Sequence, residues 1–244
     1  MSAPESRTSL SRALSVLAIV VERGEARVDE VAAELGLPVS TVYRYLRDFR
    51  DAGFLIEHQS AYRPGPRIAN QRADQPSRTE LRRLARPTLE RLARESGETA
   101  LIAVRNGSHA LCLDQVESRH SMRMTFEIGQ VLPLHAGAAS RVLLAYAPAA
   151  VQAEVLASVE PITKATISAQ ALPKRLASIR ATGFVTSRSE LVKGAIAVAC
   201  PILRADECVL VIAIAAPEGR GDGAWQHLAK ALLLSARSDL EALI

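Results

Sequence analysis

Cysteine is scarce in this 244-residue chain: there are three, Cys112, Cys200 and Cys208, widely spaced and without a CxxC pair. An odd, scattered set excludes a disulfide framework and carries no zinc or dithiol signature, so the thiols are read as reduced and mostly buried. Long apolar runs are missing too. No stretch approaches the roughly 20 residues that cross a bilayer, and the opening MSAPESRTSLSR lacks the apolar core of a secretion signal. The expectation is a cytoplasmic protein with no membrane partner. Glycine-rich phosphate loops are also absent, since neither GxxxxGK[ST] nor GxGxxG occurs, and nucleotide binding has no support. His135, Asp114, Glu190 and Cys200 are the plausible parts for acid-base or nucleophilic work, yet no spacing joins them into a known triad or metal set. No catalytic residue, metal ligand or cofactor is expected.

What is present allows substantial cores, with 48% hydrophobic and 23% charged residues, and the length suits two domains better than one. The formal charge is only +4, but residues 1 to 94 hold most of the arginines, while the Ala, Val and Leu-rich remainder is near neutral. A basic front and a neutral rear suit one domain that touches DNA and another that does not.

The stretch VDEVAAELGLPVSTVYRYLRDFRDAGF, Val28 to Phe54, organises the front half. Val28, Val31, Ala32 and Leu35 recur at helical spacing until Gly36, and Val42, Leu46 and Phe49 recur until Gly53. Gly36 suits the left-handed end of one helix and Pro38 the first turn of the next. With Val31, Leu35, Val42 and Leu46 inward, the second helix turns Val39, Ser40, Tyr43, Arg44 and Arg47 outward, with Thr41 beside them. Short side chains near a helix start, followed by Arg for guanine edges or phosphates, are what a helix needs in a major groove. Phe54 to Ile56 and Tyr62-Arg63, separated by EHQSA, read as a two-stranded wing whose Arg63 reaches the backbone.

Before this stretch, residues 1 to 8 read as a frayed arm. Leu10, Ala13, Leu14, Leu17, Ala18 and Val21 predict a first helix with that face inward, ending near Gly24, with Arg12 at its start for phosphate contact. Behind the wing, a polar segment with Pro76 reads as a linker. A periodic helix then runs from Leu81 to Gly97. Ala100 to Val104 and Ala110 to Val116 read as a hairpin around Asn106-Gly107. A further strand is expected at Met122 to Phe126. Helices follow from the HAGAASRVLLAY stretch, Pro148 to Val159 and Leu172 to Thr182. Strands are expected at Phe184 to Ser187, Ala195 to Ile202 and Val209 to Ala215, and a last helix from Ala224. The class is α+β, with a mainly antiparallel sheet. The predicted division is 1–66 DNA-binding, 67–79 linker and 80–244 effector-binding.

Four stretches carry a family resemblance: SLSRALSVL at 9–17, GLPVSTVYRYL at 36–46, LPLHAGAASRVLLA at 132–145 and GFVTSRSELVKGAIAVACPI at 183–202. Over nearly its full length the chain resembles the isocitrate lyase regulator (IclR) family of bacterial transcription factors. The resemblance implies an N-terminal winged helix-turn-helix, a linker and a C-terminal GAF-like domain for a small organic effector. It also implies a dimer or dimer of dimers on a palindromic operator, most often acting as a repressor. An activator of the same family is the alternative, and beyond it an effector-binding enzyme whose helix-turn-helix mediates protein contacts. The family's linker is commonly more apolar than the Gln, Arg and Asp-rich segment here.

Carried over position by position, the resemblance places the effector against Gly137, Ala138 and Ala139 at a helix entrance, against Ala195 and Ala197, against Ala213 and Ala215 on the last strand, and against Met124. Members that bind small oxo-acids have Cys at the position of Ala197 and Ser at those of Ala213 and Ala215. With alanine there, the expectation is a wide, dry pocket for a mostly apolar carboxylic acid, aromatic or medium-chain, held by main-chain N–H groups.

Overall fold

The computed structural model describes residues 8–58, 60–65 and 76–244, which form two compact units divided after Gln75. Residues 1–7 of the expected N-terminal arm (1–8) and residues 67–75 of the expected linker (67–79) lie outside the described residues.

The first unit runs α1 (Ser9–Arg23), β1 (Ala26–Arg27), α2 (Val28–Leu35), α3 (Val39–Asp51), β2 (Leu55–His58) and β3 (Ala61–Pro64). Thr8 caps α1 by accepting a hydrogen bond from the Ser11 amide at 3.2 Å. Glu30 does the same for α2, accepting from the Arg27 amide at 3.0 Å, with Asp29 beside it in the positive first turn. Gly36 ends α2 at φ 62°, a left-handed conformation that an L side chain resists. Pro38 is the N-cap of α3, one position earlier than its expected place in the first turn.

Two corrections follow. The face of α1 that packs inward carries Val16, Ile19 and Val20, with Ala13 and Leu17 half-buried, whereas Leu10 (69% exposed), Leu14, Ala18 and Val21 face out. The helix carries two interleaved apolar stripes, and periodicity cannot choose between them. Contact with α3 does. The wing strands also run further than expected: Glu57 pairs with Tyr62 and His58 with Ala61, so most of EHQSA is ladder rather than loop. The two-residue β1, too short to show alternation, joins them in the order β1-β3-β2.

The second unit opens with α4 (Arg78–Ser96), which starts three residues before Leu81 because Ser77 caps it, accepting from the Glu80 amide at 3.2 Å. Then come β4 (Thr99–Asn106), β5 (His109–Val116), β6 (Val131–Pro133), α5 (Ala138–Ala145), α6 (Ala149–Ala157), α7 (Leu172–Thr182), β7 (Val185–Arg188), β8 (Ala195–Arg204), β9 (Glu207–Pro217) and α8 (Gly223–Glu241). The hairpin loop is Gly107-Ser108, and Asn106 closes the ladder opposite His109. Six strands in the order β6-β5-β4-β9-β8-β7, all pairs antiparallel, make the expected sheet.

The strand expected at Met122 to Phe126 is not one. Side chains tie this segment instead. Gln115 exchanges two hydrogen bonds with the Phe126 backbone at 2.5 and 3.0 Å, Thr99 donates to the Met124 carbonyl at 2.5 Å, and Arg220 to the Met122 carbonyl at 2.9 Å. The edge strand β6 was not foreseen. Helices α4 and α8 cover one face of the sheet, and α5, α6 and α7 the other.

Candidate functional site

In the first unit α3 turns Val39, Ser40, Tyr43, Arg44 and Arg47 to solvent, with Thr41 half-buried, because Val42, Tyr45 and Leu46 hold its other side in the core. Tyr45 anchors α3 to α1 through a 2.9 Å hydrogen bond with the Ser9 hydroxyl, which also lowers its pKa. The Arg44 guanidinium lies 5.5 Å from the Tyr45 ring centroid, a cation–π contact that fixes its stem.

Most arginines of this unit already hold an acid. Arg23 pairs with Glu34, and Arg50 with Asp51 and Glu57. Arg47 stands 3.8 Å from Asp48, and the wing residue Arg63 donates twice to Glu25 at 2.9 and 2.6 Å. Arg44 and Arg12, both exposed, have no carboxylate partner among the described residues. An α3 face of small side chains, one phenol and an uncompensated guanidinium is a surface for polyanionic DNA.

In the second unit all eight expected effector residues, Met124, Gly137, Ala138, Ala139, Ala195, Ala197, Ala213 and Ala215, line one cavity between the sheet and α5. Strand register explains the grouping. Ser187, Ala197, Ala215 and Thr99 stand in one row across β7, β8, β9 and β4. Gly137 leads into α5 at φ 92°, with Leu191 packed 3.4 Å from where a Cβ would sit. Beyond it the amides of Ala138, Ala139 and Ser140, the first helical turn, have no intrahelical acceptor.

The cavity departs from expectation in two ways. Its walls are not alanine alone: Leu101, Phe126, Leu132, Leu191, Val192 and Ile196 also line it. Nor is it uniformly dry, because Ser140, Ser187 and Glu190 line it. Glu190 accepts from the Gly137 amide at 3.3 Å and from Arg141 Nη2 at 2.7 Å, with side-chain exposures of 8% for Glu190 and 3% for Arg141. Burial pushes the Glu190 carboxyl up and the Arg141 guanidinium down from their ordinary pKa values, and the pair opposes both shifts. The sequence offered Glu190 only as a possible acid-base group; its place under the cavity depends on a loop path that spacing does not reveal.

The other candidates for chemistry are each engaged separately. His135 Nε2 lies 2.9 Å from the Glu160 carbonyl, Asp114 binds Arg86 at 3.2 Å, and the Cys200 thiol sits against the Leu233 carbonyl, pushed up to about 12 by burial. No described helix is long and apolar enough to cross a membrane.

Residues 9–57 match the IclR helix-turn-helix domain, and residues 74–239 match the C-terminal region of bacterial transcriptional regulator IclR. The chain belongs to the IclR family. Among its IclR relatives, the HTH-type transcriptional regulator BhcR of Paracoccus denitrificans is 30% identical, over 94% of this chain and 85% of that one. The HTH-type transcriptional repressor AllR of Klebsiella pneumoniae is 28% identical over 90% and 83%. An IclR homolog from Microbacterium hydrocarbonoxydans, solved with 4-hydroxybenzoate, shares the fold at a TM-score of 0.64 and 22% identity, covering 96% of this chain and 100% of that one. The protein is thus an IclR-type transcriptional regulator with a ligand-binding C-terminal domain.

Proposed function

We propose that this regulator represses a catabolic operon, reading a palindromic operator as a dimer or dimer of dimers and responding to a small organic acid in the cavity beside α5. The observation that carries the reading is the pairing of an Arg44 on the α3 face, without an acid partner among the described residues, with a separate cavity that presents helix amides free of backbone partners. The repressor named AllR supports the sign of regulation, and the 4-hydroxybenzoate complex supports an acid as effector. A lone winged helix reads too few base pairs for useful specificity, so half-sites must be paired. The exposed stripe of Leu10, Leu14 and Val21, continued by half-buried Leu17, has the 4-3-4 spacing of a helix seam that a second copy would cover.

Arg44→Ala and Tyr43→Ala are expected to weaken operator binding with the fold intact. Loss of an Arg contact to a base costs roughly 1–3 kcal/mol. Arg47→Ala is expected to weaken all sequences about equally, through phosphate. Gel-shift titration at fixed salt on the protein's own upstream region checks both, and unchanged affinity in the Arg44 and Tyr43 variants would mean another face reads DNA. Sedimentation at micromolar concentration checks assembly, where a monomer binding a palindrome tightly would count against pairing.

A further inference from the structure

The cavity's polar groups are confined to one end, and they are incompletely used. Ser187, 6% exposed, shares the sheet face of Val185 two residues away, and its side chain makes no hydrogen bond among the described residues. Ser140, 2% exposed, is in the same position. The amides of Ala138, Ala139 and Ser140 are likewise unpartnered. Glu190 uses one acceptor site on each oxygen, for Gly137 and Arg141, and a carboxylate has about four. Unfilled donors and acceptors in a mostly apolar cavity each carry a desolvation penalty that a ligand can relieve.

Those groups specify chemistry. Three free N–H donors at the positive end of α5 call for a carboxylate. The acceptor left on Glu190 calls for a donor immediately beside that carboxylate, because Glu190 binds Gly137 and the free amides are the next three residues. An ammonium is disfavoured there, since Arg141 at 2.7 Å already balances the Glu190 charge. A keto oxygen offers no proton. Resting on the reading of this cavity as the effector site, we infer that the effector is a short-chain 2-hydroxy acid. Its carboxylate is held by the Ala138–Ser140 amides, its hydroxyl donates to Glu190 beside Ser187, and its small alkyl group lies against Ala197 and Ala215. The bulky walls Leu101, Phe126, Leu132 and Ile196 face that alkyl group and keep the chain short.

The test is calorimetric titration of the full-length protein with each enantiomer of 2-hydroxybutyrate, with butyrate and with 2-oxobutyrate. One enantiomer is expected to bind at least about tenfold tighter than butyrate or 2-oxobutyrate, the range of a hydrogen bond to a charged group. Ser187→Ala should shrink that gap while leaving butyrate affinity in place. Glu190→Gln should shrink it further, and if that variant fails to fold, the comparison of ligands on the unmodified protein still decides. Equal binding of butyrate, tighter binding of 2-oxobutyrate, or no binding by any of them overturns the inference. Binding that survives Ala197→Phe instead overturns the placement of the effector in this cavity.

Discussion

One sheet, two faces: the strands that build the second unit carry different residues on alternate positions. Toward α4 and α8 stand Ile102, Val104, Val198, Cys200, Ile202, Ile212 and Ile214. Toward α5 and α7 the same strands show Leu101, Ala103, Ala197, Ala199, Val211, Ala213 and Ala215. Branched side chains interlock with the two long helices into a close-packed core. Alanines opposite a helix entered through Gly137, Ala138 and Ala139 leave space that none of the described residues fills. A cavity here is the consequence of side-chain size on every second residue, with no change in backbone. The packed core and the cavity are therefore divided between the faces of one sheet, and the division can be attacked from either side.

The largest effect is expected on the packed face. Ile212→Ala removes buried branched volume between β4 and β8, where Ile212 stands opposite Ile102 and Cys200, and should lower the stability of the second unit by about 2–5 kcal/mol. Denaturant unfolding followed by far-ultraviolet dichroism measures it, and a loss below about 1 kcal/mol would mean this face is loosely packed as well. On the cavity face Ala197→Phe adds volume where volume is free, so the penalty should be smaller, about 1–3 kcal/mol at most. Its main effect is functional: the effector should no longer change operator affinity, while binding without effector persists. A retained response would place the effector elsewhere.

The smallest effect compares two thiols. Burial pushes Cys112, which borders the cavity, up to about 11 and Cys200, on the packed face, up to about 12. Unfolded thiols ionise near 9.0. The folded state therefore holds protons that the unfolded chain gives up, and stability should be constant below pH 9 and fall as pH rises through 11. At pH 8 a small alkylating reagent, followed by mass spectrometry, should reach Cys112 faster than Cys200. Equal rates would remove the distinction between the faces.

The surface helix was the most legible part of the chain. On α3 the order of residues alone separates Val42 and Leu46 from Val39, Tyr43 and Arg44, because one side meets a core and the other meets water. The first helix defeated the same logic, since Leu10 and Leu14 form a stripe as regular as the buried one and only α3 decides between them. For the cavity, the resemblance supplied the alanines. Ser140 and Ser187 carry no sequence signal, and Glu190 reads only as an acid-base candidate, because their meeting depends on the register of β7 against β8 and on the return of the chain from residue 188 to α5. The segment at Met122 to Phe126 looked like a strand by composition, yet its hydrogen bonds go to Gln115, Thr99 and Arg220, and local composition cannot show that.

That last arrangement has a kinetic consequence. Met124 and Phe126 reach the cavity wall on a segment held by a handful of side-chain hooks, whereas the sheet beside it is bonded amide by amide. Releasing those hooks exposes the cavity without unzipping any strand, so opening belongs to the low-free-energy fluctuations of the native state and not to its unfolding. Amide protons of 122–127 should exchange orders of magnitude sooner than those of β4 and β9. The cavity can then open on the timescale of a loop, while the face that holds the unit together stays shut.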